Sequence, residues 1–160
     1  MSVLQLPRAI FEGLRAHGEE TYPHECCGAL LGRPICGGAR DGWRISAMVR
    51  AANARGDGPA GGAKERYEIA PAELVKIARE ARSQSLEIVG FYHSHPDHAA
   101  QWSAVDLAEA HWLGCSYLIT EIARGKAAAT NAFLLAGSAE EDKRFEDQII
   151  EIDDSGPAAV

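Results

Sequence analysis

The chain of 160 residues contains no long apolar run. Its opening segment, MSVLQLPRAIFEGLRA, meets Pro7 and Arg8 after two leucines. That is too little for a signal peptide, and nothing approaches the roughly 20 apolar residues that span a bilayer. No membrane partner is expected, and the location expected is cytoplasmic. Basic charge is scarce and scattered: 16 Lys and Arg stand against 23 Asp and Glu, a formal net charge of −7. Neutralising phosphates needs a concentrated basic surface, so no nucleic-acid partner is expected. Cysteine is limited to Cys26, Cys27, Cys36 and Cys115, without the C-x2-C pairing of a zinc ribbon. Buried thiols in a reducing compartment are the expectation; a disulfide from one of the first three to Cys115 is left open. No repeat recurs, and no linker is long enough to divide the chain.

What is present reads as one ordinary domain. With 46% hydrophobic and 24% charged residues, a chain this long buries roughly 70% of its unfolded surface and needs no disulfide or structural metal to fold. Over residues 8–20, Ile10, Phe11, Leu14 and His17 share a helical face behind Pro7. CCGALLG is apolar and bounded by turn formers, a buried strand. Trp43, Ile45, Ala47 and Val49 alternate as a second strand. RGDGPAGGAKE, residues 55–65, reads as a flexible loop beside a binding site. ERYEIAP forms a short strand, and Pro71 opens a helix in which Leu74, Ile77, Ala78 and Ala81 share a face. LEIVGFY, CSYLITEI, AAATNAFLLA and FEDQIIEID read as strands. The late acidic run is a solvated face, with 152–160 a disordered tail. About three helices and six strands follow, an α/β class of mixed α+β type with a central mixed sheet flanked by helices.

The chemistry centres on GFYHSHP. His93 and His95, at i and i+2, point to one side of a strand, which suits two nitrogens about 2.0 Å from one zinc ion. A pair of histidines at a strand end can equally be ordinary. Asp106, eleven residues beyond His95 and three after Ser103, lies on the first turn of the next helix. Two neutral imidazoles and one carboxylate would leave an open fourth position, as in catalytic zinc. The competing reading is a plain capping box between Ser103 and Asp106. A hydrolase also needs a base, and Glu25 precedes an apolar strand where desolvation would raise its pKa. Alone, Glu25 reads more readily as an exposed residue of a helix-to-strand turn.

HSHPDHAAQWSAVD fits H-x-H-P-x6-S-x2-D, and in this it resembles the metal motif of the JAMM/MPN+ metalloproteases. PHECCGALLG resembles that family's glutamate segment, and RYEIAP, EIVGFYHSHP and LGCSYLI look like its compact bacterial members. The resemblance implies a single MPN/JAMM domain over 1–160 with cytidine-deaminase-like layering. It implies one Zn2+ per chain held by His93, His95 and Asp106, with Glu25 as catalytic base and Ser103 as oxyanion donor. It further implies hydrolysis of the peptide or isopeptide bond after the C-terminal Gly-Gly of a ubiquitin-like or sulfur-carrier protein. The alternatives are a zinc hydrolase of small peptides and amides, or a silent interaction module; a homodimer is left open. Trp102 stands where many relatives have proline, either packing on the substrate tail or covering the helix start. Asn53 matches an asparagine of bacterial relatives and would order the site's edge. His24, His98 and His111 are set aside as ligands, Cys26 and Cys27 as nucleophiles, and Ser94 is expected to point away from the metal.

Overall fold

VLQLP, ahead of the first helix, alternates in the manner of a strand: Leu4 and Leu6 are fully buried, while Gln5 faces Arg44 and Glu151. In the computed structural model, which describes residues 1–37, 40–55, 62 and 66–154, this segment is β1 (Val3–Pro7). It is followed by α1 (Arg8–Thr21), β2 (Cys27–Pro34), β3 (Gly42–Ala51), α2 (Pro71–Ser83), β4 (Glu87–Pro96), α3 (Ala104–Glu109), β5 (Ser116–Ala123), β6 (Lys126–Ala136) and β7 (Arg144–Asp153).

β1 corrects the expected architecture. It pairs in parallel with β3 on one side and with β7 on the other, Val3 lying opposite both Gly42 and Ile149. The sheet therefore closes into a seven-stranded barrel of order β1-β3-β2-β4-β5-β6-β7. It is not the open central sheet flanked by helices, with cytidine-deaminase-like layering, that the sequence suggested. Five residues joining two edges remove both of them. α1 touches β1, β3, β4, β5, β6 and β7, which a helix can do only from the concave side of such a sheet. Its Ile10 and Leu14 pack with Leu4, Leu6, Leu30, Ile45, Tyr92 and Leu118 in an inner core. α2 begins at Pro71 as expected and packs outside, Ile77 and Ala81 joining Cys27, Ala29, Leu31, Phe91 and Tyr117. Residues 66–70 of ERYEIAP are not a strand. The 55–65 segment lies outside the described residues except for Arg55 and Gly62. The proposed tail begins in β7, which runs through Asp153, and 155–160 lie outside the described residues.

Two local features aim β4. Leu30 opposes Gly90 but Leu31 opposes Ile88, so Val89 is an extra residue, a bulge that reverses the facing of everything before it. Beyond it Tyr92 and Ser94 face α1, and the positions between them face outward. Tyr92 lies across Gly28, where an added Cβ would come within 2.3 Å of its ring, and a 2.8 Å hydrogen bond joins its hydroxyl to His17 Nδ1. Ser94 accepts the Cys26 N–H at 2.8 Å, and this fixes the start of β2 against the end of β4.

Candidate active site

The antiparallel β2–β4 register sets Cys27 opposite His93, and continuing it by two residues sets Glu25 opposite His95. Strand pleating sends all four to the outer face. Glu25, His93 and His95 are buried at 4%, 2% and 8% exposure. Their ligand atoms lie within 4.8 Å of one another. β4 then ends at Pro96, and a loop returns the chain to α3 above the imidazoles.

Asp106 sits on the first turn of that helix. Its Oδ1 is 3.2 Å from His93 Nε2 and its Oδ2 is 3.1 Å from His95 Nε2, while the two Nε2 atoms are 3.2 Å apart. Donor atoms bound at about 2.0 Å to a tetrahedral ion stand about 3.3 Å apart. The two imidazole nitrogens stand at that edge, while the Asp106 carboxylate turns one oxygen to each of them; Glu25, His93 and His95 form the group whose donor atoms could share one metal ion. Ser103 and Asp106 do form the capping box: Ser103 Oγ accepts the Asp106 N–H at 3.0 Å, and the Ser103 N–H donates to Asp106 Oδ2 at 2.8 Å. The box and the metal set are thus compatible, because the box is what holds the carboxylate in place. Ser103 is exposed, and its hydroxyl proton donates to no described residue.

The charges support the same geometry. Burial works against the Asp106 anion, but hydrogen bonds with His93, His95 and the Ser103 backbone outweigh it, holding its carboxyl far below the usual range. Burial pushes His93 down, which keeps it neutral, as a metal ligand must be. For His95 burial also acts downward, but Asp106 and the Ala99 carbonyl prevail and its pKa is raised. The His95 Nδ1 meets that carbonyl at 2.9 Å, which puts its N–H there and leaves Nε2 free to ligate.

The residues set aside make other contacts. His98 holds the Pro96 carbonyl at 2.6 Å, its ring 6.4 Å from that of His95. His111 is exposed beside Glu140, and the His24 N–H bonds the Thr21 carbonyl. The four cysteines are free, with burial pushing the Cys26 thiol up to about 11 and that of Cys27 to about 12. Trp102 packs on Phe145 at 5.6 Å between ring centres. Asn53 donates to the Glu25 carbonyl at 3.2 Å.

Sequence reasoning missed Tyr67, whose ring stacks on His93 at 4.4 Å and 24°. It also missed the cavity of about 320 Å³ beyond that ring, lined by Tyr67, Ile69, Leu74, Phe91, Trp112 and Tyr117 with Arg55 and Glu109 among its polar residues. Both depend on the segment before α2 folding over the end of β4. RYEIAP was the one available signal.

This fold and site define a metalloprotease domain of the JAMM/MPN type, the class that the motif resembled. Residues 7–135 match the family described as prokaryotic homologs of the JAB domain, and the chain belongs to that family. It is 35% identical over 97 residues to a protein of Haloferax volcanii named desampylase, an alignment covering 61% of this chain and 62% of that relative's length. The chain thus matches somewhat under two thirds of that relative. Among solved structures, a protein from Salinibacter ruber shares 35% identity with a TM-score of 0.67, over 96% of this chain and 94% of its own. A protein from Desulfitobacterium hafniense has the same fold, with a TM-score of 0.72 at 24% identity and 96% of each chain covered.

Proposed function

We propose that this protein is a zinc-dependent peptidase that hydrolyses the peptide or isopeptide bond after the C-terminal Gly-Gly of a ubiquitin-like or sulfur-carrier protein. The observation that carries this reading is the convergence of Glu25 with His93, His95 and Asp106 at one buried point between β2, β4 and α3. Family membership and the name of the Haloferax relative support the substrate class. Four free cysteines suit a reducing cytoplasm, and no helix among the described residues is long and apolar enough to cross a membrane.

His93, His95 and Asp106 would hold the zinc. When bound, it polarises the scissile carbonyl and makes water a nucleophile near neutral pH. Glu25 takes the proton of the attacking water and delivers it to the leaving nitrogen, so that the C–N bond breaks to a carboxylate and an amine. The Ser103 hydroxyl, already fixed by its acceptor role in the capping box, donates to the oxygen on which charge develops. We take Asp106 as the third ligand in preference to Glu25 because its carboxylate lies within 3.2 Å of both Nε2 atoms and it occupies the aspartate position of the motif. The cavity beyond Tyr67 accommodates the carrier tail upstream of the two glycines.

The test is cleavage of carrier fusions ending in Gly-Gly-X, with zinc counted by mass spectrometry. Glu25→Gln should lower turnover by about 10²- to 10⁴-fold while retaining zinc. Unchanged turnover would sink the base assignment, and loss of zinc would make Glu25 a ligand. Cleavage indifferent to the carrier body would assign the enzyme to small peptides.

A further inference from the structure

His93 has an unusual mode of support. Its Nε2 faces His95 and Asp106, and its Nδ1 is buried with no hydrogen-bond partner among the described residues. A metal-ligating histidine almost always donates its second N–H to a carboxylate, a carbonyl or water, and that bond fixes both tautomer and ring orientation. His95 follows this rule through the Ala99 carbonyl; no carboxylate or carbonyl of the described residues does the same for His93.

What His93 has instead is a face. The Tyr67 ring lies nearly parallel to it at 4.4 Å, in a segment that is neither helix nor strand. Such a segment needs external ties to hold a ring still. Asn53 supplies them on both sides of Tyr67: its Nδ2 donates to the Arg66 carbonyl at 3.0 Å, and its Oδ1 accepts the Glu68 N–H at 3.1 Å. The Ala54 N–H adds a bond to the Glu68 carbonyl at 2.8 Å, and Arg66 pairs with Glu109 at the end of α3. The same Asn53 amide donates to the Glu25 carbonyl. One side chain therefore ties together the strand end that carries the candidate base and the segment that carries the stacking ring.

We propose that Tyr67 is a positioning residue that orients the His93 imidazole by stacking, and that Asn53 acts through it. The proposal rests on the reading of His93 as a metal ligand. Without the stack, the imidazole spends part of its time with Nε2 turned from His95 and Asp106. Apparent affinity falls by the fraction of molecules that stay aligned. Losing a support of this kind weakens metal binding by about 10- to 100-fold, and the low end applies because the strand backbone still limits the ring.

The experiment measures Zn2+ affinity by chelator competition and the visible spectrum of the Co2+ form, with urea unfolding of the metal-free proteins as a control for folding. Tyr67→Phe keeps the stack and should bind within about twofold of wild type. Tyr67→Leu and Asn53→Ala should each bind about tenfold more weakly, with an altered Co2+ spectrum. The double variant should be no weaker than Tyr67→Leu alone, since Asn53 acts through Tyr67. Wild-type affinity in Tyr67→Leu, equal losses in Phe and Leu, or losses that add in the double variant would overturn the proposal. If Tyr67→Leu fails to fold, Asn53→Ala decides, and unchanged affinity there overturns it. A wild-type protein that binds no metal refutes the metal reading itself, whereas a binding wild type with unaffected variants refutes only the role of Tyr67.

Discussion

Ser103 carries two roles that substitution can separate. As helix N-cap it accepts the Asp106 N–H at 3.0 Å. As oxyanion donor it would use its hydroxyl proton, which the cap leaves unused. Replacing an N-cap serine by alanine costs about 1 kcal/mol of stability, and by glycine only a few tenths. Removing one oxyanion donor costs about 10²- to 10³-fold in kcat, or about 2.7–4 kcal/mol at the barrier. Threonine retains both functions, and the extended backbone at Ser103, φ −100° and ψ 168°, suits its branched side chain. Steady-state cleavage of a Gly-Gly-X fusion, alongside thermal unfolding and zinc affinity for each variant, gives the answer. Ser103→Ala and Ser103→Gly should lose kcat equally although they differ in stability, while Ser103→Thr stays near wild type. Activity that instead follows cap strength, with Ser103→Gly within about threefold of wild type, would refute the oxyanion role, since that role demands a loss of at least about 10²-fold.

Two further outcomes follow from the surrounding structure. A carboxyl whose pKa is depressed on folding adds stability above its unfolded value, near 3.9, and loses it as pH falls through the folded value. Metal-free protein should therefore lose stability below about pH 4 through Asp106, and urea unfolding against pH should show that acid limb flattened in Asp106→Asn. Gly28→Ala puts a methyl 2.3 Å from the pinned Tyr92 ring. Overpacking and a strained His17–Tyr92 bond together cost about 2–4 kcal/mol. A fall in Tm of roughly 5–15 °C should follow, and a loss below about 1 kcal/mol would show that the inner core yields more readily than argued.

Most strands and both long helices were legible because their apolar residues recur at periods of about two and 3.6, and Pro7 and Pro71 mark helix starts. β1 was not, since five residues ending in proline give a weak periodic signal. Barrel closure went with it, because it needs β1 to pair both with β3 and with the distant β7, Val3 lying opposite Gly42 and Ile149. His93 and His95 were legible as a pair on one side of a strand, and Ser103 and Asp106 as a capping box, from local geometry; that the four belong to one site was legible only through the motif they resemble. The supports Tyr67, Ala99 and Ser94 were not picked out as such, because each acts through packing or a single hydrogen bond that no local pattern encodes.

The sequence by itself determined the H-x-H pair, the spacing to Ser103 and Asp106, and the resemblance that named the expected chemistry. Only the tertiary structure decided that Glu25, about seventy residues before the histidines, faces them. The β2–β4 register does this, with the Val89 bulge setting which way β4 presents its imidazoles and Ser94 holding Cys26 against it. A strand alternates its faces with a period of two, so a slip of one residue would send Glu25 to the opposite side of the sheet.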